Sequence, residues 1–324
     1  MAINITPVAY HREREKGLIV YPVYSRRSAG LSVGINLFPD KKSCAFDCPY
    51  CEVFPFSHND ETAQLTQCAQ LTQCAYLQST AKAVSIFRYG FSVSRMEEEL
   101  RAAVAGAQEQ DIPIKDICFS GNGEPTLSPH FGDALKSAEK IRSGLAQLKQ
   151  CSQLRPRSAE SPALVIITNG TGLLQPRVFS LLKETAANPS VDIWLKFDAG
   201  TSGWYRKINR SNVPHDKLIE KIKEFTCQAP VTIQTMLCAI DGAPPPEEET
   251  HAWENIICDL AQLKQCAQLK QCANIRKVQL YGKARPAPED PLTSELPQNY
   301  LEKRAESLRN KFADLNITTP VETY

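Results

Sequence analysis

The sequence has no apolar run near the roughly 20 residues that a membrane-spanning helix needs. Its amino-terminal end also lacks the apolar segment that is typical of a secretion signal. The formal net charge is only +1, so no field of the whole molecule attracts nucleic acid or an anionic membrane. These absences predict a cytoplasmic protein that does not bind a membrane.

Charge is present as local clusters, of which three are basic. These clusters are Arg26-Arg27, Lys41-Lys42 and Arg206-Lys207-x-x-Arg210. Short basic clusters usually form a solvated face, and we expect all three at the surface. The composition is otherwise that of an ordinary globular protein, with 42% hydrophobic and 23% charged residues in a chain of 324.

Histidine pairs with metal-ligand spacing are absent, whereas cysteine is plentiful. The chain has five histidines and 12 cysteines, and the cysteines are not spaced as in a small disulfide scaffold. Three of them, Cys44, Cys48 and Cys51, lie within eight residues as C-x3-C-x2-C. We expect scattered cysteines such as Cys118 and Cys238 to be small core residues.

The remaining five cysteines belong to a repeated hexamer, Ala-Gln-Leu-(Thr/Lys)-Gln-Cys. Its copies lie at 63–68, 69–74, 146–151, 261–266 and 267–272. A period of six fits neither the strand period of 2.0 nor the helix period of 3.6. We interpret the copies as short insertions in loops or at helix ends. A second metal cluster at their cysteines is the alternative, but the spacing matches no common ligand pattern.

Strand and helix patterns alternate along the rest of the chain. The predicted strands are Leu31–Phe38, Asp116–Ser120, Ala163–Thr168, Val191–Asp198, Val231–Cys238 and Ile275–Tyr281. Helices are predicted after a capping box at Ser94-x-x-Glu97, at Pro176, after Pro214, near Glu247–Glu249 and after Pro297. Six β–α units in succession predict a parallel sheet.

The faces of the strands favour a curled sheet over an open one. In 191–198, Ile193, Leu195 and Phe197 share one face, and the other face carries polar residues. A doubly wound sheet is apolar on both faces, so one polar face is typical of a sheet whose concave side lines a cavity. We therefore predict an α/β fold with an incomplete (β/α)6 barrel in a single domain. Its predicted parts are an extension at 1–30, the barrel core at 31–285, and a helix and tail at 286–324.

The three clustered cysteines have three competing explanations. One is that three cysteines are buried by accident, which a loop with proline and aspartate makes a poor explanation. A zinc site needs a fourth ligand, usually from a second cysteine pair, and no matching pair stands nearby. A ferredoxin needs four cysteines for each cluster. The spacing therefore favours an iron–sulfur cluster held by Cys44, Cys48 and Cys51 that leaves one iron open.

Polar residues and glycines lie at or just after the carboxyl ends of the predicted strands, where a parallel barrel keeps its active site, and one, Gln234, lies within the strand at 231–238. They are Gly121, Asn122, Gly123, Glu124, Asn169, Lys196, Asp198, Gln234 and Arg285. Simpler interpretations exist for several of them. The Asn169-Gly170 pair is a common turn, and Lys196 and Asp198 share a face on which they can pair with each other.

The cysteine motif, with Tyr50 before its last cysteine, resembles the signature of radical S-adenosylmethionine (radical SAM) enzymes. The resemblance implies a [4Fe-4S] cluster whose open iron binds S-adenosylmethionine. It also implies reductive cleavage of that molecule to a 5′-deoxyadenosyl radical, which abstracts hydrogen from a substrate. Residues 121–124 resemble the Gly-Gly-Glu element that binds the methionine amino group, with Asn122 in place of a glycine.

The same resemblance suggests roles for the other strand-end residues. Lys196 and Asp198 would contact the carboxylate and ribose of the cofactor, Asn169 would contact it from the same rim, and Gln234 would form the floor of its site. Arg285 would bind a carboxylate of substrate or cofactor. An external flavodoxin-like or ferredoxin-like protein would supply electrons.

At a finer level, Ser25–Ser28, Gly121–Leu127, Lys196–Ala199 and Arg285-Pro286 are similar to uncharacterised bacterial radical SAM enzymes. These are related to the wyosine-forming tRNA-modifying enzymes. Two substrate classes follow, an RNA base or a protein that receives a radical. An iron–sulfur protein without catalysis, serving electron transfer or structure, is the alternative from a different class.

Overall fold

The structure is a computed structural model that describes residues 18–53, 90–151, 161–262 and 275–324. An eight-stranded sheet forms the centre of this part of the chain. Its strands, in spatial order, are β1 (Val20–Ser25), β2 (Gly30–Ile35), β3 (Ile114–Phe119), β4 (Ala163–Thr168), β5 (Val191–Lys196), β6 (Val231–Leu237), β8 (Ile275–Gly282) and β10 (Val321–Thr323). Only β1 is antiparallel to its neighbour. The short strands β7 (Ala239–Ile240) and β9 (Thr293–Ser294) form a separate antiparallel pair.

The helices alternate with the strands. They are α1 (Val93–Glu109), α2 (Phe131–Cys151), α3 (Pro176–Ala186), α4 (Ser202–Ile208), α5 (His215–Thr226), α6 (Glu247–Gln262) and α7 (Gln298–Asp314). Buried side chains of these helices join one side of the strands in a common core, for example Leu100 with Phe119 and Ile222 with Leu195. Among the described helices, none is both long and apolar enough to cross a membrane.

The curl of the sheet follows from the contacts of Arg27. This residue lies in the turn between β1 and β2, yet its guanidinium lies 5.4 Å from the ring centre of Trp194 and 5.0 Å from that of Tyr281. It also donates to Gln234 Oε1 at 2.8 Å. In a flat sheet, β8 would lie five strand spacings of ~4.8 Å from β2, which is beyond the reach of an arginine. The sheet is therefore curled, and Arg27 enters its concave face.

Arg26 is exposed, as expected of a solvated basic cluster, but Arg27 departs from that expectation because its side chain packs against two aromatic rings. The concave face also carries a small apolar cluster of Cys118, Val165 and Trp194. Side chains therefore fill part of the concave face, as they fill the interior of closed barrels.

All six predicted strands are confirmed, with ends that differ by up to three residues. The structure adds β1 and β10, which lie outside the predicted core of 31–285 and pair with it. The repeat copies at 63–74 and 267–272 lie outside the described residues. The copy at 146–151 forms the end of α2, and the copy at 261–266 begins in the last two residues of α6.

The predicted capping box at the start of α1 is wrong by two residues. Ser92 is the N-cap, and its Oγ accepts from Arg95 N at 3.3 Å. Glu97 turns away from the helix end and accepts from Ser137 Oγ on α2. The sequence offered two serines two residues apart, and the packing of α1 against α2 selects between them.

We expect Ser92→Ala to lower the free energy of unfolding by about 1 kcal/mol, because it leaves a helix-end amide without its side-chain acceptor. Ser94→Ala is the matched control and should change stability by less than half of that amount. Denaturant unfolding of both variants measures the difference. Equal losses in the two variants would contradict the assignment of Ser92 as the cap.

Candidate functional site

The loop that carries the three cysteines leaves the carboxyl end of β2 and lies against the loop after β3. Ser43 forms a parallel bridge with Gly123. The Ser43 amide donates to Asn122 O at 2.9 Å, and the Glu124 amide donates to Ser43 O at 2.8 Å. Gly123 has φ of +148°, and a Cβ there would lie 1.9 Å from the Ser43 carbonyl oxygen. Glycine is therefore required for the two loops to meet.

Asn36 fixes the other side of this junction. Its Oδ1 accepts from Asn122 N at 3.0 Å and from Phe38 N at 3.1 Å. The Asn122 side chain in turn donates to Phe38 O at 3.1 Å. Asn122 thus ties the glycine-containing loop to the loop that leads to the cysteines.

Glu124 is buried and its carboxylate already has protein donors. Oε1 accepts from the Thr126 amide and hydroxyl at 3.2 and 2.6 Å and from Thr168 Oγ1 at 2.7 Å. Oε2 accepts from Asn169 N at 2.6 Å. Among the described residues, Oε1 therefore has three donors and Oε2 has one. Burial raises the pKa of Glu124, and these hydrogen bonds oppose the rise. The carboxylate therefore organises the ends of β3 and β4.

The side-chain amides of two asparagines contact two of the thiols. Asn169 Nδ2 donates to Cys44 Sγ at 3.4 Å, and Asn209 Nδ2 donates to Cys48 Sγ at 3.5 Å. Asn209 was not predicted as a site residue. It caps the carboxyl end of α4, and its backbone carbonyl accepts from Asp47 N at 2.9 Å. Its role depends on a contact across 161 residues, which no local pattern reveals.

Lys196 and Asp198 meet at the carboxyl end of β5, with Nζ and Oδ2 3.5 Å apart. Asp198 Oδ2 also accepts from Tyr50 Oη and from Asn209 Nδ2, and Oδ1 accepts from Met236 N. Lys196 donates to Tyr281 Oη, and its ammonium lies over the Tyr50 ring. The ion pair that the sequence left as an alternative is therefore formed.

Burial and neighbouring charges shift the pKa values of Cys48 and Lys196. Burial raises the pKa of the Cys48 thiol to about 11, and the nearby Asp198 carboxylate adds to the rise. Burial opposes the charge of Lys196, but the Asp198 carboxylate, Tyr281 and Cys48 together outweigh it, and the pKa of the ammonium is raised. A metal that binds Cys48 must displace its proton, which a polycationic iron centre does.

Gln234 and Arg285, two further predicted site residues, contact other groups than the cysteines. Gln234 is fully buried in the concave face, where it accepts from Arg27 and donates to Gln279 Oε1 at 2.6 Å. Arg285 pairs with Glu52, next to Cys51, at 3.3 Å. Gln234 thus lies in register with Lys196 on the neighbouring strand, and Arg285 lies beside the cysteine loop.

The three thiols of the cysteine loop fit a cluster better than a single metal ion. In the described part of the chain, no three histidine, cysteine or acidic side chains converge as ligands of one ion. The three thiols are free and lie within electrostatic range of one another, since Cys48 and Cys51 both raise the pKa of the Cys44 thiol. Three thiols that are close but not convergent fit a cluster in which each binds a separate iron.

Comparison with known sequences gives distant relatives. No protein-family profile matches the chain. A protein of Helicobacter pylori strain ATCC 700392 / 26695, named UPF0026 protein, is 28% identical over 212 residues. The alignment covers 65% of this chain and 51% of the relative. Its counterpart from strain J99 / ATCC 700824 is 27% identical over 207 residues, 64% of this chain and 50% of that protein. The chain therefore spans about half the length of these relatives.

Solved structures match over most of the chain. SuiB of Streptococcus suis bound to precursor peptide SuiA has a TM-score of 0.56 and 12% identity, covering 92% of this chain and 51% of SuiB. SuiB bound to S-adenosylmethionine has a TM-score of 0.55 and 12% identity, covering 90% and 50%. A radical SAM methyltransferase from Sphaerobacter thermophilus has a TM-score of 0.54 and 14% identity, covering 94% and 68%. The partial barrel is therefore the fold of radical SAM enzymes, as the resemblance predicted.

Proposed function

We propose that this protein is a radical SAM enzyme that holds a [4Fe-4S] cluster through Cys44, Cys48 and Cys51. The single observation that carries the proposal is the junction of the cysteine loop with the Gly121–Glu124 loop through Ser43 and Gly123. It joins the predicted metal ligands and the predicted cofactor loop at the carboxyl edge of a radical SAM fold.

A cluster held by these cysteines would supply the electron that breaks the sulfonium–C5′ bond of S-adenosylmethionine, which would leave methionine and the 5′-deoxyadenosyl radical that the resemblance implies. The chain's own residues bind and orient the reactants. Gly121 and Gly123 allow backbone groups to approach the ligand, and Oε2 of Glu124 retains capacity to accept from an ammonium. Lys196, held as a cation beside Asp198, is suited to bind a carboxylate.

The remaining predicted contacts are part of the same proposal. Asn169 would contact the cofactor from the rim after β4, while Gln234 would support the site from below. Arg285 would exchange its partner Glu52 for a carboxylate of substrate or cofactor, because their side chains are partly exposed and the pair is 3.3 Å long. Each role predicts weaker cofactor binding when the residue is truncated.

Anaerobic reconstitution with iron and sulfide, followed by dithionite and S-adenosylmethionine, tests the proposal. We expect about four iron atoms per chain and formation of 5′-deoxyadenosine, measured by chromatography. A protein that carries a four-iron cluster and forms no 5′-deoxyadenosine would be the electron carrier or structural iron–sulfur protein of the rival hypothesis.

For the substrate we favour a polypeptide over an RNA. Two members of the basic clusters are already paired: Lys42 with Asp47 at 3.4 Å, and Arg210 with Glu289 through two contacts of 2.8 Å. SuiB, which shares the fold, binds a precursor peptide. If the substrate is instead an RNA, its affinity should fall steeply as salt concentration rises.

The proposal also includes an electron donor and a compartment. A one-electron reductant of low potential is required, and a ferredoxin-like or flavodoxin-like protein is the expected donor. Cysteines that serve as metal ligands remain reduced in the cytosol, so we propose that the enzyme is cytoplasmic. Reduction of the reconstituted cluster by a purified flavodoxin, followed optically, tests this pairing.

A further inference from the structure

We infer that the side-chain amides of Asn169 and Asn209 set the reduction potential of the cluster by donating to two of its cysteine sulfurs. The inference rests on the proposed function, because it assumes that Cys44 and Cys48 hold iron. Asn169 and Asn209 act through those cysteines and are therefore positioning residues.

Both amides are held in one orientation by other partners. Asn169 Oδ1 accepts from the Thr171 amide at 3.0 Å and from Thr171 Oγ1 at 2.7 Å. A backbone amide only donates, so the oxygen must face Thr171 and the NH2 group must face Cys44. Asn209 Nδ2 lies 3.2 Å from Asp198 Oδ2, and a carboxylate accepts, so its NH2 group lies between Asp198 and Cys48.

Both asparagine side chains are buried. Asn169 is 5% exposed and Asn209 is 1% exposed, so water has little access to the amide protons, whereas Cys44 is exposed and Cys48 is half-buried. Hydrogen bonds to sulfur stabilise the more negative state of an iron–sulfur cluster, and a poorly solvated surrounding strengthens them. One-electron reduction adds a negative charge to the cluster, so each donor makes reduction easier. The electron comes from the low-potential donor, and no covalent bond forms or breaks.

The two donors balance the negative charge of nearby carboxylates. Asp198 Oδ2 lies 3.2 Å from the Asn209 amide nitrogen that contacts Cys48. Glu124 Oε2 lies 2.6 Å from the backbone nitrogen of Asn169, whose side chain contacts Cys44. A carboxylate at that distance disfavours further negative charge on the cluster. The structure thus places one amide donor and one carboxylate at each of these two cysteines. Loss of the amide leaves the carboxylate unopposed.

The test is the midpoint potential of the reconstituted cluster, measured by an EPR-monitored redox titration without S-adenosylmethionine. Asn209→Ala removes one donor without adding charge. We expect the ratio of reduced to oxidised cluster at a fixed potential to fall about tenfold, which equals ~59 mV for a one-electron couple. Asn169→Asp keeps an acceptor for Thr171, removes the other donor and adds charge, so it should shift the potential further in the same direction.

Asn255→Ala is the matched control, because Asn255 is an exposed asparagine on α6 whose side chain contacts Lys311. It should leave the potential unchanged. If Asn209→Ala fails to hold iron, Asn169→Asp decides the question alone. Variants that keep four irons and the potential of the control would overturn this inference and leave the proposed function intact. A wild-type protein that holds no cluster would overturn both.

Discussion

Replacement of any one of Cys44, Cys48 and Cys51 by alanine should abolish cluster retention and 5′-deoxyadenosine formation. In the proposed cluster each thiolate would bind a different iron, so the two that remain would not hold the cube against loss of iron. We expect at least about a 100-fold loss of activity, or ~3 kcal/mol of transition-state stabilisation. Iron analysis and the product assay on anaerobically reconstituted protein measure the two losses.

Cys258→Ala is the control for this series. Cys258 is a free, buried cysteine on α6 and lies near Lys311, outside the cysteine loop. Its variant should keep wild-type iron content and activity. Full activity in any of the three loop variants would contradict the assignment of ligands. An iron loss in Cys258→Ala equal to theirs would show that the assay reports general unfolding.

Gly123→Ala should produce the second largest effect. The new Cβ would lie 1.9 Å from Ser43 O, and the backbone there has φ of +148°, which L side chains rarely adopt. Strain of this kind costs about 1–3 kcal/mol. Relief requires the loop at 121–124 to move away from the cysteine loop. Misplacement of catalytic groups by about 1 Å costs on the order of 100-fold in rate, so we expect a loss of that size.

A second glycine provides the matched control. A Cβ added to Gly144 on α2 would meet no heavy atom within 4 Å. Gly144→Ala should therefore keep full activity and raise the free energy of unfolding by about 0.5–1 kcal/mol, since alanine is the better helix residue. Calorimetry and the product assay compare the pair. Wild-type activity in Gly123→Ala would show that the junction of the two loops is dispensable.

The strands could be predicted where their patterns were continuous, and β4 at Ala163–Thr168 was predicted to the residue. β1 escaped detection because Pro22 interrupts its pattern, although proline is tolerated on an edge strand. β10 has three residues and carries too little pattern to recognise. Local pattern thus predicts central strands well and edge strands poorly.

The candidate site could be predicted in outline because its residues follow strand ends, which meet at one edge of a parallel sheet. Its hydrogen bonds could not be predicted. Asn209 reaches Cys48 from a helix end, and Arg27 reaches Trp194 from a turn on the far side of the barrel. Such contacts depend on the curl of the sheet, which brings distant segments together only after folding.

The central claim is that three cysteines leave one iron open for S-adenosylmethionine. The most direct test is the EPR spectrum of the dithionite-reduced cluster before and after S-adenosylmethionine is added. A cluster with an open iron should change its spectrum, because the amino and carboxylate groups of the ligand would bind that iron. A four-iron cluster whose spectrum is identical with and without S-adenosylmethionine would contradict the account.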